Sequence, residues 1–474
     1  MRRRHVLTLA AAGAVTGACS SDDPPRRPAA PGGPAASPAS PVGLAFPKGF
    51  AWGASTSAYQ VEGGATADGR GPSVWDVFSH QPGRTSDGGT GDVAADHYHR
   101  SYEDLDLMRD LGLKSYRFSI SWSRVLPTGR GTVNAKGLDF YHRLVDGLLA
   151  RGITPVATLF HWDTPQALQE SGGWASRDCA KWFADYATVV CYSLGDKVQT
   201  WLTLNEPKTV VEVGYTAGVH APGVRDRRVA NVAGHHLLLG HGLAVQAFRA
   251  TGRKGRIGAA LNLSPAYPAD DSDAARRQAT IADGEENRRW LDPVLLGRYP
   301  DDWLATQPPD APVRAAIHDG DLAAIGSKSD LLGVQYYNPA YVTAKGGRVQ
   351  KHPTTQAGWQ EVYPQGLYDL LTRIKRDYGD IPLTITENGM PSVQPTDDQD
   401  RIVFLRDHLA AAHRAISEGV RLEGYHVWSL LDNFEWAEGY SQRWGIIHVD
   451  FATQQRVRKT SANWYQQVIA RNGI

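Results

Sequence analysis

From about residue 45 onward, the hydrophobic and polar positions of the chain alternate between two patterns. A stretch with apolar residues at helical spacing ends near a glycine, and a short run that is apolar almost throughout follows it. Glycine after a helix is the usual left-handed cap, and wholly apolar strands suit a parallel sheet that is covered on both faces. The pattern predicts six helix–strand units, at 103–122, 138–162, 178–205, 231–263, 366–386 and 400–431.

Two more apolar runs, at 50–55 and 331–337, bring the predicted strands to eight. Eight strands that alternate with helices over about 430 residues favour the α/β class and a (β/α)₈ TIM barrel, one domain at 46–474 with long βα loops. A doubly wound open sheet is the alternative. The first strand is followed by no glycine-rich phosphate loop, which argues against the nucleotide-binding form of that fold.

The first 45 residues follow neither pattern. Three arginines at 2–4 precede an apolar run at 6–15 that is too short to cross a bilayer, and together they resemble a twin-arginine export signal. The run ends in the letters TGAC, which resemble a lipobox whose Cys19 receives a lipid. We therefore predict a signal peptide at 1–19 with lipidation at Cys19. Secretion with cleavage near Ala18 and no lipid is the alternative.

Residues 20–45 are rich in Pro, Ala, Gly and Ser, which predicts a disordered linker. The protein would then be exported and either extracellular or held at the cell surface, with membrane contact only through Cys19. Lys plus Arg number 50 and Asp plus Glu number 50, so the formal net charge is zero. The sequence therefore lacks the excess of positive charge that is typical of proteins that bind nucleic acid. Cys179 and Cys191 lie too far apart along one predicted helix for a disulfide, so we expect buried free thiols.

Polar and aromatic residues cluster at the ends of the predicted strands, where the active site of a barrel forms. These residues are Arg117, Trp122, His161, Trp162, Asn205, Glu206, Asn262, Tyr336, Tyr337, Glu387, Asn388 and Trp428. Aromatic faces cover sugar rings, amide and imidazole groups bond hydroxyls, and paired carboxyls cleave glycosidic bonds. The set therefore predicts a site that binds and cleaves a sugar.

Each of these residues has a structural alternative when it is taken alone. A glutamate at a strand end is usually solvated or ion-paired, Arg117 could be a structural ion-pair partner, and His161 could be a packed core histidine. We interpret Trp122 and Trp162 as part of the wall of the site and not as residues that contact the substrate. Asn262 is a candidate contact on the aglycone side.

Longer motifs surround these residues. They are FAWGASTSAYQVEG at 50–63, YRFSISW at 116–122, HWD at 161–163, TLNEP at 203–207, ITENG at 385–389, YHVWSLLDN at 425–433 and FEW at 434–436. On these motifs the chain resembles glycoside hydrolase family 1, the β-glucosidase family, in an actinobacterial type with an export leader. The resemblance extends from Phe46 to about Ile469.

The resemblance implies a retaining β-glycosidase, most simply a β-glucosidase acting on terminal non-reducing β-D-glucosyl residues. Glu387 would be the nucleophile and Glu206 the general acid/base, with their carboxyls about 5 Å apart. Arg117 would keep Glu387 ionised, Tyr337 would donate a hydrogen bond to Glu387, and Asn205 would bond the sugar 2-hydroxyl. Burial and the charge of Glu387 should raise the pKa of Glu206. This mechanism needs no metal and no cofactor.

The resemblance also implies which residues bind the substrate. The predicted set is Gln60, His161, Asn205, Gln335, Tyr337, Trp428, Glu435, Trp436 and Trp444. The expected partners are small β-glycosides or oligosaccharides. A charged Glu435 would repel a sugar 6-phosphate, which favours unphosphorylated sugars.

Among the positions that depart from the family pattern, two bear on the predicted site. Gln335 stands where the family has asparagine, and Trp444 stands where it commonly has phenylalanine or tyrosine. We expect activity on aryl β-glucosides with an altered preference among glucose, fucose and galactose. The alternatives are a transglycosylase that uses the same residues, and a tethered sugar-binding lipoprotein without activity, against which the presence of both Glu206 and Glu387 argues.

Overall fold

A computed structural model describes residues 43–474, and a closed barrel of eight parallel strands lies at its centre. The barrel strands in chain order are β1 Ala51–Ser55, β2 Ser115–Ser119, β3 Thr154–Phe160, β4 Thr200–Asn205, β5 Arg256–Asn262, β6 Leu331–Gln335, β7 Leu383–Asn388 and β8 Leu422–Trp428. Each strand pairs with the next, and β8 closes the barrel against β1. The predicted (β/α)₈ barrel is confirmed, and the open sheet is excluded.

Helices surround the barrel. The long ones are α1 His97–Asp110, α2 Ala135–Ala150, α3 Asp178–Leu194, α4 Arg227–Ala250, α5 Asp273–Asp283, α6 Pro364–Tyr378, α7 Gln399–Ser417 and α8 Thr460–Arg471. Shorter α-helices are Ala58–Val61, Val74–Ser79, Trp122–Val125, Gln166–Glu170, Pro207–Thr209, Arg289–Leu296, Asp301–Thr306, Pro312–Ala316 and Asp321–Ile325. Two π-helical segments, Val210–Thr216 and Gly284–Arg288, lie in the loops after β4 and β5.

The apolar strands are buried because helices cover their outer faces and side chains fill the barrel interior. All residues of β3 except Thr154 are buried. Gly152 follows α2 with a φ of 69°, the left-handed conformation expected of a capping glycine. Gly195 after α3 differs, because its φ is −69° and a Cβ there would lie 2.3 Å from the carbonyl oxygen of Cys191. Close packing, and not a left-handed turn, therefore requires glycine at 195.

Several strand ends differ from the prediction. Strand β2 ends at Ser119, and Trp122 begins a short helix, with its ring stacked on Tyr186 at a centroid distance of 5.0 Å. Trp122 therefore belongs to the hydrophobic core between the barrel and the surrounding helices. Strand β7 extends through Glu387, which the prediction placed just beyond it.

Small elements outside the barrel were not predicted from the sequence. One sheet combines Ala266–Pro268, Ala340–Val342 and Arg348–Val349, and another pairs Ile447–Val449 with Arg456–Arg458. These strands have two or three residues each, too few for an alternating pattern to be recognised. The first sheet stands beside the cavity described below.

The predicted signal peptide, its lipidation site at Cys19 and residues 20–42 of the predicted linker lie outside the described residues. The last three linker residues are described: Leu44 exchanges backbone hydrogen bonds with Ile474, and Ala45 pairs with Gly473. Cys179 and Cys191 are buried on α3 as free thiols. Over residues 43–474, none of the helices combines the length and the apolar character needed to cross a membrane.

Candidate active site

A cavity of about 720 Å³ opens at the carboxyl ends of the barrel strands. It contains most of the residues that the sequence predicted to act together. The predicted residues in its lining are His161, Trp162, Glu206, Asn262, Tyr337, Glu387, Trp428, Glu435, Trp436 and Trp444. The strand ends thus bring together side chains from positions more than two hundred residues apart along the chain.

Four other predicted residues lie immediately behind this lining. They are Gln60, Arg117, Asn205 and Gln335, each fully buried. Gln60 bonds to Glu435 and Arg117 to Glu387, whereas Asn205 joins His161, Arg117 and Gln335. Tyr336 and Asn388 do not line the cavity; the Asn388 amide donates to the carbonyl of Tyr336 and stabilises the strand end.

Glu387 is held by two donors. The guanidinium of Arg117, on β2, forms an ion pair with one carboxylate oxygen of Glu387, and the hydroxyl of Tyr337 donates to the other at 2.8 Å. Arg117 also donates to Asn205 and, through Nε, to Thr158 Oγ1 at 3.0 Å, so its position is fixed from three sides. A charge-assisted pair of this kind favours the ionised carboxylate.

Glu206 has a different environment. It follows β4 with a φ of 46°, in the left-handed region that non-glycine residues rarely occupy. The hydroxyl of Thr209 donates to its Oε2 at 2.8 Å, and the amide of Asn262 lies 3.5 Å away. Trp162 and Trp436, which line the same cavity, also have positive φ values. Strained backbone of this kind is typical of functional sites.

The two carboxyls differ in their affinity for a proton. Burial raises the pKa of Glu206 to about 8, and the negative charge of Glu387 acts in the same direction. Burial also raises the pKa of Glu387, but Arg117 and the hydroxyl of Tyr337 lower it. Because Arg117 pairs directly with Glu387, the first proton leaves Glu387 and the second leaves Glu206. Of these two carboxyls, Glu387 is therefore the one that ionises first, and Glu206 is the one that keeps its proton to higher pH.

Comparison with known proteins identifies the family. A model of glycosyl hydrolase family 1 matches residues 43–474. The chain belongs to glycosyl hydrolase family 1. Beta-glucosidase A from Acetivibrio thermocellus is 45% identical over 447 residues, which cover 91% of this chain and 99% of the relative. A bifunctional beta-D-glucosidase/beta-D-fucosidase from Bifidobacterium breve is 44% identical over 462 residues, which cover 90% of this chain and 98% of the relative.

Solved structures agree with this assignment. The beta-glucosidase from Thermotoga maritima in complex with glucoimidazole superposes with a TM-score of 0.87 and 45% sequence identity, covering 91% of this chain and 100% of that chain. The same enzyme in complex with galacto-hydroximolactam gives a TM-score of 0.85 at 45% identity, with the same coverage. Both the barrel and the family predicted from the sequence are thus confirmed.

His161 is oriented by its hydrogen bond to Asn205. Because Oδ1 of Asn205 accepts from Arg117 and Gln335, its Nδ2 is the donor to His161 Nε2 at 3.0 Å. The proton of the imidazole therefore lies on Nδ1, which is buried without a partner among the described residues. Burial lowers the pKa of His161 well below its usual range, so the ring is neutral and offers one donor to a ligand.

Glu435 departs from one expectation. Its carboxylate accepts from Gln60 at 3.3 Å, but burial, together with the charge of Glu387, raises its pKa to about 8. At neutral pH the Glu435 carboxyl is therefore mostly protonated. Repulsion of a sugar 6-phosphate by a charged Glu435 is correspondingly weakened, whereas hydrogen bonding to sugar hydroxyls is available in both protonation states.

The two departures from the family pattern occupy different layers. Trp444 lines the cavity, where its ring packs edge-on against Tyr337 at 5.7 Å, and its Nε1 is buried without a partner over residues 43–474. Gln335 lies in the layer behind, where its amide donates to Asn205 Oδ1 at 2.7 Å. Trp444 is thus placed to contact a ligand, and Gln335 acts on the layer that orients Asn205 and Glu387.

The other residues of the cavity lining were not predicted from the sequence. Five of them that bear on the chemistry are Lys208, Thr209, Glu286, Arg348 and Trp359. Lys208 and Thr209 directly follow the TLNEP motif, and that proximity was an available signal. The other three come from long loops after β5 and β6, where neither periodicity nor a motif marks them. The described residues contain no cluster of His, Cys, Asp and Glu that could hold a metal ion.

Proposed function

We propose that this chain is a retaining β-glucosidase that hydrolyses terminal, non-reducing β-D-glucosyl residues through a covalent glycosyl-enzyme. The observation that supports this most directly is the asymmetry of its two buried carboxyls. Glu387 is paired with Arg117, and Glu206 carries a pKa raised to about 8. Retaining cleavage requires this division of roles between a nucleophile and a proton donor.

The first step of the proposed reaction forms the intermediate. The carboxylate of Glu387 attacks the anomeric carbon, the glycosidic bond breaks, and the proton of Glu206 passes to the leaving oxygen. In the second step Glu206, now ionised, takes a proton from water, whose oxygen displaces Glu387 from the anomeric carbon. Two inversions at the anomeric carbon give net retention of its configuration, and both carboxyls return to their starting protonation states.

The same cavity supports a glucose-type glycone. Trp428 and Trp436 flank His161, each with a ring centroid 5.9 Å from the imidazole, and provide flat apolar surface. His161 Nδ1, Glu435 and Trp444 Nε1 add groups for hydroxyls. One relative is named for both β-glucosidase and β-fucosidase activity, so fucose is the alternative glycone to test.

The function is tested by nitrophenol release from the 4-nitrophenyl β-D-glucoside, fucoside and galactoside. We expect turnover of the glucoside, with the ratio among the three sugars altered by Trp444→Phe, which removes the indole donor from the cavity. A wild-type protein inactive on all three sugars would support the sugar-binding alternative and contradict the proposed activity.

The pH dependence follows from Glu206. Since Glu206 must be protonated to act as the acid, kcat/KM for cellobiose, whose leaving hydroxyl needs a proton, should fall about tenfold per pH unit above a pKa near 8. Glu435, with a pKa also near 8, could produce the same limb. Glu435→Gln should lower kcat/KM but keep the alkaline limb. Loss of that limb in Glu435→Gln would assign it to Glu435 and contradict the role given to Glu206.

We further propose that the protein is an exported, actinobacterial-type member of the family, anchored through a lipid on Cys19. The arginines at 2–4 and the lipobox-like TGAC support this proposal. The mature protein should partition into detergent and carry an acyl mass on its N-terminal cysteine, and Cys19→Ser should remove both properties. A freely soluble mature protein with no acyl mass would exclude the anchor.

A further inference from the structure

Lys208 occupies an unusual place for a lysine. It follows Glu206 by two residues, its side chain is only 11% exposed, and it lines the same cavity as Glu206. Buried lysines are rare and are usually paired. Its Nζ donates to Glu286 Oε2 at 3.0 Å, which is its one ion pair within residues 43–474. An ammonium carries three N–H donors, so donors remain for a ligand.

Glu286 does not need Lys208 for charge neutralisation. Arg348, at the start of the strand Arg348–Val349, forms an ion pair with the other carboxylate oxygen of Glu286. Arg348 is about half exposed, and Glu286 is 14% exposed. The three side chains carry a net positive charge and are fixed to one another on the cavity wall. A purely structural pair would require one cation, so Lys208 has N–H groups left on the wall of the cavity that Glu206 also lines.

Aromatic rings and neutral amides complete this part of the cavity. Trp359 is 51% exposed and stacks on Trp444, with ring centroids 6.3 Å apart. Asn262 and Gln350 also line the cavity. Flat apolar faces combined with fixed donors and acceptors match a ring that carries hydroxyl groups better than they match an alkyl chain.

We infer that Lys208 is a specificity-determining residue of an aglycone subsite for a second neutral sugar unit, to whose hydroxyl or ring oxygen it donates. This inference rests on the proposed function and names its substrate class: β-linked disaccharides and short oligosaccharides of glucose. An anionic aglycone fits less well, because Glu361 and Glu438 also line the cavity and have no cationic partner among the described residues. Binding energy from Lys208 would thus be gained with a sugar leaving group and not with a hydrocarbon of the same size.

Two substrates isolate this contact. Cellobiose and cyclohexyl β-D-glucoside both lose an alcohol from a six-membered ring and depend similarly on the acid catalyst, but the cyclohexyl ring has no hydroxyls. Lys208→Met should lower kcat/KM for cellobiose roughly 10- to 100-fold, the effect of losing a hydrogen bond to a charged group. For cyclohexyl β-D-glucoside the change should stay within about threefold, and Lys208→Arg should restore part of the activity on cellobiose.

The matched control is Lys181→Met, which removes an exposed lysine from α3 and should leave kcat/KM unchanged for both substrates. An equal fall for both substrates would mean that Lys208 acts on Glu206 and would overturn the inference. An unchanged rate on cellobiose would overturn it as well. In either case wild-type activity on 4-nitrophenyl β-D-glucoside would show that the proposed function stands without the subsite.

Discussion

Replacing Glu387 with glycine should lower kcat roughly 10⁴- to 10⁶-fold, the scale of loss when a catalytic nucleophile is removed. The glycosyl-enzyme cannot form without this carboxylate, and water in its place is a weak nucleophile with no general base to deprotonate it. Nitrophenol release from 4-nitrophenyl β-D-glucoside measures the loss. Azide is small enough to enter the space left by the side chain and should restore turnover with α-glucosyl azide as the product, through a single inversion.

A control for this variant is available in the same cavity. Glu438 is an exposed carboxyl in the lining, and Glu438→Gly should retain most of the wild-type rate. Removal of a nucleophile should leave far less than about one-tenth of wild-type activity. If Glu387→Gly keeps more than that fraction, another group attacks the anomeric carbon. Rescue by azide that gives the β-azide would contradict the assignment in the same way.

Replacing Glu206 with alanine should have an effect that depends on the leaving group. For cellobiose, whose leaving hydroxyl needs a proton, kcat/KM should fall about 10²- to 10⁴-fold, the usual contribution of a general acid. For 4-nitrophenyl β-D-glucoside the loss in kcat/KM should be much smaller, because nitrophenolate leaves without protonation. Initial rates on both substrates at one pH measure the difference.

Azide again distinguishes the roles. In Glu206→Ala it should accelerate the second step, because an anion needs no general base, and it should release β-glucosyl azide after two inversions. The two variants are therefore predicted to give opposite anomers from the same substrate. Equal losses on cellobiose and on the nitrophenyl glucoside would contradict the role of Glu206 as the acid.

The sequence was sufficient for the barrel because its strands are wholly buried, which produces runs that are apolar on both faces, as in β3. Glu206 and Glu387 were recognisable because each follows or ends such a strand within a motif. The ends of the strands were less predictable. Trp122 was predicted to lie in a strand, but it begins a short helix, and its ring packs against Tyr186 of α3.

The sequence identified residues of the layer behind the cavity but not all of their contacts. Gln60 and Gln335 were predicted to bind the substrate, and their buried amides bond to Glu435 and Asn205. The direction of a side chain at a strand end such as Gln335 is hard to predict, because it alternates with a shift of one residue. The raised pKa of Glu435 was also not predictable, since it arises from burial together with carboxylates contributed by distant strands.

The central claim is a covalent intermediate on Glu387, and its most direct test is to trap that intermediate. A 2-deoxy-2-fluoro-β-glucosyl fluoride forms the glycosyl-enzyme and slows its hydrolysis, because fluorine at C2 destabilises the oxocarbenium-like transition state. Mass spectrometry of the digested protein should then locate one sugar on the peptide that contains Glu387, and none in Glu387→Gly. A sugar on another carboxyl, or turnover that gives α-glucose first with no adduct, would contradict the account.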